Sequence, residues 1–228
     1  IRRQVVCDMT LSDCLQQGFF ASAVPYNLKP QEESILNDNE RLLDDYYQQG
    51  DWYQLLHHAM ALKKNIIISG GTSTGKTTLL NACLREIPLD QRIVTLEDTR
   101  EITAPHRNQV NLLAIKGMQS KANISMQDLL QCSLRLRPDR IIVGEIRGAE
   151  ILDFLAAAAT GHEGSLTSIH ATNPQMALMR MTQMYKLNNV PAMSDADILS
   201  EVTQVVDFIV QLKKTSQGRC LQSICRIA

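Results

Sequence analysis

Residues 66–77 read Ile66-Ile67-Ile68-Ser69-Gly70-Gly71-Thr72-Ser73-Thr74-Gly75-Lys76-Thr77. The last eight fit the pattern G-x-x-x-x-G-K-[ST], directly after a predicted buried strand and at the start of a predicted helix. Glycines let successive backbone N–H groups converge on phosphate oxygens, and the positive end of the helix dipole adds to the attraction. We therefore predict a phosphate-binding loop rather than an ordinary glycine-rich turn, with Lys76 near the β- and γ-phosphates and the Thr77 hydroxyl placed to ligate Mg²⁺.

On both sides of this loop, short runs of β-branched residues alternate with helical segments. Strands are predicted at 66–68, 92–96, 110–115, 141–143 and 165–169, and helices at 52–62, 76–85, 126–137, 149–160, 174–186 and 195–204. Two last runs, 206–212 and 220–227, flank a polar turn and predict a hairpin. The pattern predicts an α/β fold with a mostly parallel sheet flanked by helices, whose ligand lies beyond the carboxyl ends of the strands.

The composition is that of an average globular protein, with 228 residues, 44% hydrophobic and 21% charged. The net charge of −1 gives no global electrostatic reason to expect a nucleic acid or an anionic membrane as partner. No apolar run is long enough to span a membrane, so we expect any membrane contact to be peripheral. The six scattered cysteines are expected to be reduced and buried, and a Cys220–Cys225 disulfide is the alternative.

The amino-terminal part of the chain differs from the rest. It starts at Ile1 without an initiator methionine, and the segment 29–51 holds seven acidic residues. We interpret residues 1–50 as the end of a missing amino-terminal domain, with a last strand at 1–6, followed by a solvated helical linker. Residues 51–228 are predicted to form the nucleotide-binding domain.

A glutamate follows the predicted strand at 141–143. Gly144 comes first and Glu145 second, so the acid stands one residue beyond the position at which P-loop proteins usually hold their metal. A glutamate at the lip of the sheet suits a base that polarises the attacking water. Capping of the next helix is the alternative role.

Three acids follow the strand at 92–96, namely Glu97, Asp98 and Glu101. Because Glu145 is expected to act on water, we predict that these acids orient the hydration shell of Mg²⁺. Helix capping is again the alternative.

Two histidines flank the predicted strand at 165–169. His162 lies at the turn before the strand and His170 at its far end. Either could face the γ-phosphate, although a lone histidine in such a position is usually structural.

Four motifs together identify a family. The phosphate loop, LEDTRE (96–101), LRLRPDRIIVGEIRG (134–148) and TGHEGSLTSIHATNP (160–174) occur in order and at normal separation. With them the chain resembles the type II/type IV secretion ATPase superfamily over roughly residues 52–212. It is most similar to the hexameric traffic ATPases of type IV secretion and conjugation systems, since it lacks the four-cysteine zinc insert of the type II and pilus-extension enzymes.

The resemblance implies a RecA-like fold and a homo-hexamer with ATP at subunit boundaries. It also implies that the partners are inner-membrane components of a secretion system. The protein would then lie in the cytoplasm, bound peripherally to the cytoplasmic face of the bacterial inner membrane. Residues 70–78, including Thr78, would form the phosphate loop, Glu145 would be the catalytic glutamate, and His162 and His170 would sense the γ-phosphate. Glu97, Asp98 and Glu101 would be the acidic box.

Hydrolysis also needs positive charge at the γ-phosphate, which an arginine of a neighbouring subunit could supply. The candidates are Arg100, Arg107, Arg135, Arg137, Arg140 and Arg147. The function expected is that of an ATP-hydrolysing motor for substrate translocation or pilus assembly. The alternatives are a RecA-like nucleic-acid translocase, disfavoured by 4% aromatic residues and near-zero charge, and a nucleotide-gated docking subunit.

Overall fold

The computed structural model describes residues 9–26, 37–115 and 124–227. The strand predicted at 1–6 lies outside these residues. Within them, each strand and helix predicted from residue 52 onward is found, and its ends agree with the prediction to within a few residues. The α/β fold predicted from the alternating pattern is confirmed.

The described strands form one sheet. They are β1 (Val24–Pro25), β2 (Ile66–Gly70), β3 (Ile93–Glu97), β4 (Gln109–Leu113), β5 (Arg140–Val143), β6 (Leu166–Ile169), β7 (Phe208–Thr215) and β8 (Gly218–Arg226). Their order across the sheet is β1-β8-β7-β2-β6-β5-β3-β4. All neighbours are parallel except β7 and β8, which form the predicted antiparallel hairpin.

The helices cover both faces of this sheet. They are α1 (Leu11–Gln16), α2 (Asp38–Gln49), α3 (Trp52–Ala61), α4 (Lys76–Leu84), α5 (Met126–Ser133), α6 (Glu150–Ala159), α7 (Pro174–Tyr185) and α8 (Asp195–Val205). Side chains of Asn37, Asp51, Ser125, Asn173 and Ser194 cap the amino ends of α2, α3, α5, α7 and α8. Each cap accepts a hydrogen bond from a backbone N–H that the helix itself leaves unpaired.

The sheet divides two hydrophobic cores. Ile66 and Ile68 of β2 point into the core that contains α1 to α4, whereas Ile67 points into the core that contains α5 to α8. This alternation follows from the pleat of the strand. Because β2 is buried on both faces, its position in the sheet is fixed, and with it the position of the loop that follows.

The acidic segment 29–51 is described from residue 37 onward, and this part forms the helix α2, which is solvated on one side only. Leu43 and Tyr47 are fully buried in the first core, and the Tyr47 hydroxyl donates to the carbonyl of Ile224 at 3.0 Å. On the same side, Arg226 binds Asp44 at 2.7 Å and Glu40 at 3.2 Å. The expectation of a solvated linker was therefore wrong for this face, because apolar side chains one turn apart dock it onto the β7–β8 hairpin.

Two smaller expectations concern thiols and membranes. Cys14, Cys83, Cys132, Cys220 and Cys225 are all free, so the Cys220–Cys225 disulfide is not formed. Burial raises the pKa of the Cys14 thiol to about 11.

In the described part of the chain, none of the helices has the length and apolar character needed to cross a membrane.

Candidate nucleotide-binding site

The carboxyl ends of four parallel strands bring most of the predicted site residues to one edge of the sheet. The phosphate loop follows β2, and Glu97 is the last residue of β3. Glu145 stands two residues beyond β5, and His170 directly follows β6. Residues far apart in the sequence thus meet where an α/β sheet normally binds its ligand.

The phosphate loop is shaped by backbone conformations that favour glycine. Gly75, which precedes α4, has a φ of 96°, and Ser73 has a φ of 60°. At Gly70 a Cβ atom would lie 2.5 Å from the Thr74 hydroxyl, which itself donates to the Gly71 carbonyl at 2.9 Å. The loop can close this tightly only because residue 70 carries no side chain.

Lys76 is directed into the loop. Its ammonium group donates to the carbonyls of Gly70 and Gly71, both at 3.0 Å, and lies 3.4 Å from Nε2 of His170. Burial lowers the pKa of this lysine, and the Glu145 carboxylate opposes that shift. The cation is therefore held where an incoming phosphate would offer it stronger acceptors than neutral carbonyls do.

Both carboxylate oxygens of Glu145 have neighbours. Oε1 lies 2.9 Å from Nε2 of His170, and Oε2 lies 2.5 Å from Nη2 of Arg147. Arg147 binds Asp98 at 2.6 Å with its other terminal nitrogen. A chain of contacts thus runs from Asp98 through Arg147, Glu145 and His170 to Lys76. The hydrogen bond from Arg147 to Glu145 raises the pKa of that guanidinium, and burial lowers the pKa of His170 although Glu145 acts in the opposite direction.

The three acids of the predicted metal site are separated by their partners. Glu97 is buried, and its Oε1 accepts the backbone N–H groups of Glu101 and Ile102, both at 2.7 Å. Burial raises the pKa of this carboxyl despite the two hydrogen bonds. Asp98 is paired with Arg147, so only Glu101 contacts Thr77, whose hydroxyl donates to its Oε2 at 3.2 Å. In the ranges that the structure covers, no group of three or more histidine, cysteine or acidic side chains is arranged to hold a metal.

The donors at Thr77 and Glu101 nevertheless fit Mg²⁺. This ion takes oxygen ligands, keeps several waters and is usually held by one or two side chains together with substrate phosphates. A hydroxyl and a carboxylate side by side at the start of α4 are such a pair. Of the three predicted acids, only Glu101 lies beside Thr77, because the backbone N–H groups of residues 101 and 102 bind the Glu97 carboxylate. That all three orient the hydration shell of Mg²⁺ stays a prediction.

His162 is not brought to the phosphate loop. Its Nδ1 lies 3.0 Å from the carbonyl of Pro138, which precedes β5, and His162 itself precedes β6. The residue therefore lies at the amino edge of the sheet, with the full length of β6 between it and His170. Within one chain, the structure therefore brings His170 to the phosphate loop and leaves His162 away from it.

The structure also separates the arginine candidates. Arg140 is fully buried and donates to the Met60 carbonyl at 2.6 Å, to Oε1 of Gln91 at 2.6 Å and to the Gly164 carbonyl at 3.4 Å, so it cannot reach a neighbouring subunit. Arg147 is engaged within its own chain. Five candidates are exposed, namely Arg147 and the four others Arg100, Arg107, Arg135 and Arg137. Sequence reasoning did not select Asn81. The signal that could have found it is its polar character in an otherwise apolar stretch of helix, one turn after Thr77.

A mostly parallel sheet with a phosphate loop after β2, a glutamate beyond β5 and a histidine after β6 defines a P-loop nucleotide-binding domain with a RecA-like fold. Residues 40–225 match the family of type II/IV secretion system proteins, and the chain belongs to that family.

Individual relatives agree with this assignment. The chain is 35% identical over 218 residues to the type IV secretion system protein VirB11 of Brucella suis, covering 93% of this chain and 58% of that protein. The PtlH homolog of Bordetella bronchiseptica is 35% identical over 212 residues, covering 91% of this chain and 60% of that protein. The crystal structure of the Brucella suis VirB11 ATPase in complex with sulphate matches with a TM-score of 0.78 at 33% identity, covering 96% of this chain and 64% of that one. The chain thus spans about three fifths of the length of these relatives.

Proposed function

We propose that this chain is the nucleotide-hydrolysing part of a bacterial type IV secretion motor, which powers substrate translocation or pilus assembly. One observation carries the proposal: His170 contacts both the phosphate-loop lysine, Lys76, and the candidate base, Glu145. The imidazole of His170 therefore lies between the lysine expected to bind the phosphate and the glutamate expected to activate the water. The similarity to VirB11 supports the secretion role.

The reaction is hydrolysis of ATP to ADP and phosphate. Water oxygen bonds to the γ-phosphorus while the bond from that phosphorus to the bridging oxygen breaks, and Glu145 accepts the proton that the water loses. Lys76 and the backbone N–H groups of residues 70–78 hold the phosphate oxygens, and His170 stands where a γ-phosphate would touch it. Mg²⁺, when bound with the nucleotide, supplies positive charge to the β- and γ-phosphates, and Thr77 and Glu101 would hold it.

The two oxygens of Glu145 differ in their partners. Oε2 accepts a hydrogen bond from Arg147, whereas Oε1, although 2.9 Å from Nε2 of His170, has no hydrogen-bond partner among the described residues. We therefore expect Oε1 to accept the proton of the attacking water once nucleotide binding draws Lys76 or His170 toward the phosphates.

The assembly follows from the same proposal. Six copies would form a ring with ATP at the subunit boundaries, docked on secretion-system components at the cytoplasmic face of the inner membrane. An exposed arginine of a neighbouring subunit would supply the remaining positive charge, and Arg100, Arg107, Arg135 and Arg137 are exposed.

The experiment that tests the motor role compares two measurements on the complete protein. Steady-state release of phosphate from ATP is measured in vitro, and substrate transfer is measured in cells that carry either the wild type or Glu145→Gln. The proposal requires both to fail in the variant. Transfer that survives without hydrolysis would contradict it and would favour a nucleotide-gated docking subunit.

A further inference from the structure

Asn81 is a buried polar residue in the middle of α4. The residue is 5% exposed, and its neighbours in the helix, Leu79, Leu80 and Ala82, are fully or almost fully buried. A carboxamide in such surroundings destabilises the fold unless its donor and acceptor are both satisfied. The partners of Asn81 therefore show what the residue does.

Both polar atoms of Asn81 bind the segment 101–103. Nδ2 donates to the carbonyl of Glu101 at 3.1 Å, and Oδ1 accepts the backbone N–H of Thr103 at 3.0 Å. This segment has no regular secondary structure, so its backbone groups need partners from elsewhere. Asn81 supplies two of them and fastens the segment to the helix of the phosphate loop.

Glu97 holds the same segment from the end of β3. Its Oε1 accepts the N–H groups of Glu101 and Ile102. Four backbone groups of three consecutive residues are thus bound by two buried side chains. The position of the Glu101 Cα atom is fixed relative to both α4 and the sheet.

The fixed backbone places the Glu101 carboxylate beside Thr77. Thr77 and Asn81 are four residues apart on α4 and therefore lie on the same face of the helix. Thr77 meets the side chain of Glu101, and Asn81 meets its backbone. We propose that Asn81 is a positioning residue that holds Glu101 and Thr77 together as the protein ligands of nucleotide-bound Mg²⁺. This inference rests on the proposed function, because it concerns the same site.

The test uses two variants of the complete protein and a matched control. Asn81→Ala removes the side chain from a helix without loss of helix propensity, and Asn81→Leu removes both hydrogen bonds while keeping the branched shape of the side chain. The control is Asn188→Ala, since Nδ2 of Asn188 also donates to two backbone carbonyls, of Ala149 at 2.8 Å and Tyr185 at 3.1 Å. It lies between α7 and α8, away from the 101–103 segment.

The readout is the Mg²⁺ dependence of nucleotide binding, measured without turnover. A fluorescent ADP analogue and thermal stabilisation by ADP are each titrated with Mg²⁺ and compared with the same measurements in EDTA. For both Asn81 variants we expect the Mg²⁺ concentration at half-effect to rise about tenfold, as the loss of one to two hydrogen bonds would give, while affinity in EDTA stays within about twofold. Asn188→Ala should lower the melting temperature and leave the Mg²⁺ midpoint unchanged.

A double variant separates positioning from general destabilisation. In a Glu101→Gln background the further change Asn81→Ala should no longer shift the Mg²⁺ midpoint, because Asn81 acts through Glu101. Equal shifts in both backgrounds, or midpoints equal to that of Asn188→Ala, would overturn the inference while the wild type still binds nucleotide. A wild type that fails to bind nucleotide at any Mg²⁺ concentration would instead overturn the proposed function, and this inference with it.

Discussion

The Nε2 atom of His170 lies 2.9 Å from the Oε1 atom of Glu145. The two residues follow the neighbouring strands β6 and β5, and Ser168 joins them: its hydroxyl donates to the Gly144 carbonyl at 2.7 Å and its carbonyl accepts the N–H of Ile146 at 3.0 Å. The backbone on both sides of Glu145 is thus tied to β6. The direction of the Glu145 side chain toward His170 is a consequence of this pairing.

Replacing Glu145 by glutamine should separate binding from hydrolysis. Glutamine keeps the shape of the side chain but cannot accept a proton, so turnover should fall by about 10²- to 10⁴-fold while nucleotide affinity stays within about twofold. Phosphate release and binding of a fluorescent ATP analogue measure the two effects. Equal turnover of the variant and the wild type would contradict the assignment of the base.

Replacing Lys76 by alanine should abolish nucleotide binding. The ammonium group is the buried cation of the phosphate loop, and its charge-assisted hydrogen bonds to phosphate cannot be replaced by backbone N–H groups alone. We expect affinity to fall about 100-fold or more. The control is Lys213→Ala, an exposed lysine on β7, which should bind nucleotide as the wild type does.

The two histidines should behave differently. His170→Ala removes the group between Lys76 and Glu145, so turnover at saturating ATP should fall at least about tenfold. His162→Ala changes a residue at the opposite edge of the sheet and should leave nucleotide affinity unchanged. Titrations and turnover of the two variants, side by side, check this. A loss of affinity in His162→Ala as large as in Lys76→Ala would contradict the placement.

The sequence was sufficient to predict the phosphate loop, the parallel sheet and the edge at which the site lies. These features depend on local patterns: a buried β-branched run, glycines at tight positions and caps at helix starts. The sequence did not predict which partners, distant along the chain, a side chain binds. Glu97 binds a backbone that no local signal marks as unpaired, and Arg140 is buried although arginine is usually exposed.

The surroundings of Gly144 are visible only in the structure. A Cβ atom there would lie 3.3 Å from Cγ of Glu97, so a larger residue directly after β5 would require the Glu97 side chain to shift by a few tenths of an ångström. Sequence reasoning found that the acid stands one residue later, at Glu145, but could not show that the position directly after β5 faces the buried Glu97 side chain.

Acid should destabilise the fold partly through His106. This residue is buried, its Nε2 lies 3.1 Å from the Pro88 carbonyl, and burial lowers its pKa. Above pH 6.5 the side chain is neutral in both states; below it the unfolded chain takes up a proton that the folded chain resists. The free energy of unfolding should therefore fall as pH drops, by at most about 1.4 kcal/mol per pH unit from this group.

Urea unfolding at pH 7.5 and pH 5.5 measures this effect in the wild type and in His106→Gln. The variant has no titrating group at the position, so its loss of stability between the two pH values should be smaller. His170 contributes with the same sign in both proteins and cancels in the comparison. Equal losses in both proteins would contradict the role of His106.

Arg140 should prove to be a structural residue and not the arginine that acts across the subunit boundary. Its guanidinium joins the end of α3, Gln91 and the turn at Gly164, and burial lowers its pKa to about 10. Arg140→Met would leave these acceptors without a donor, each at a cost of about 1–3 kcal/mol, so we expect a loss of about 3 kcal/mol in the free energy of unfolding. Arg135→Ala, at an exposed position, should change stability by less than about 0.5 kcal/mol. Urea unfolding measures the stability of the two variants. Loss of these buried hydrogen bonds must lower the free energy of unfolding if Arg140 is structural. An Arg140→Met variant that kept its stability and lost only turnover would therefore return Arg140 to the candidates for catalysis.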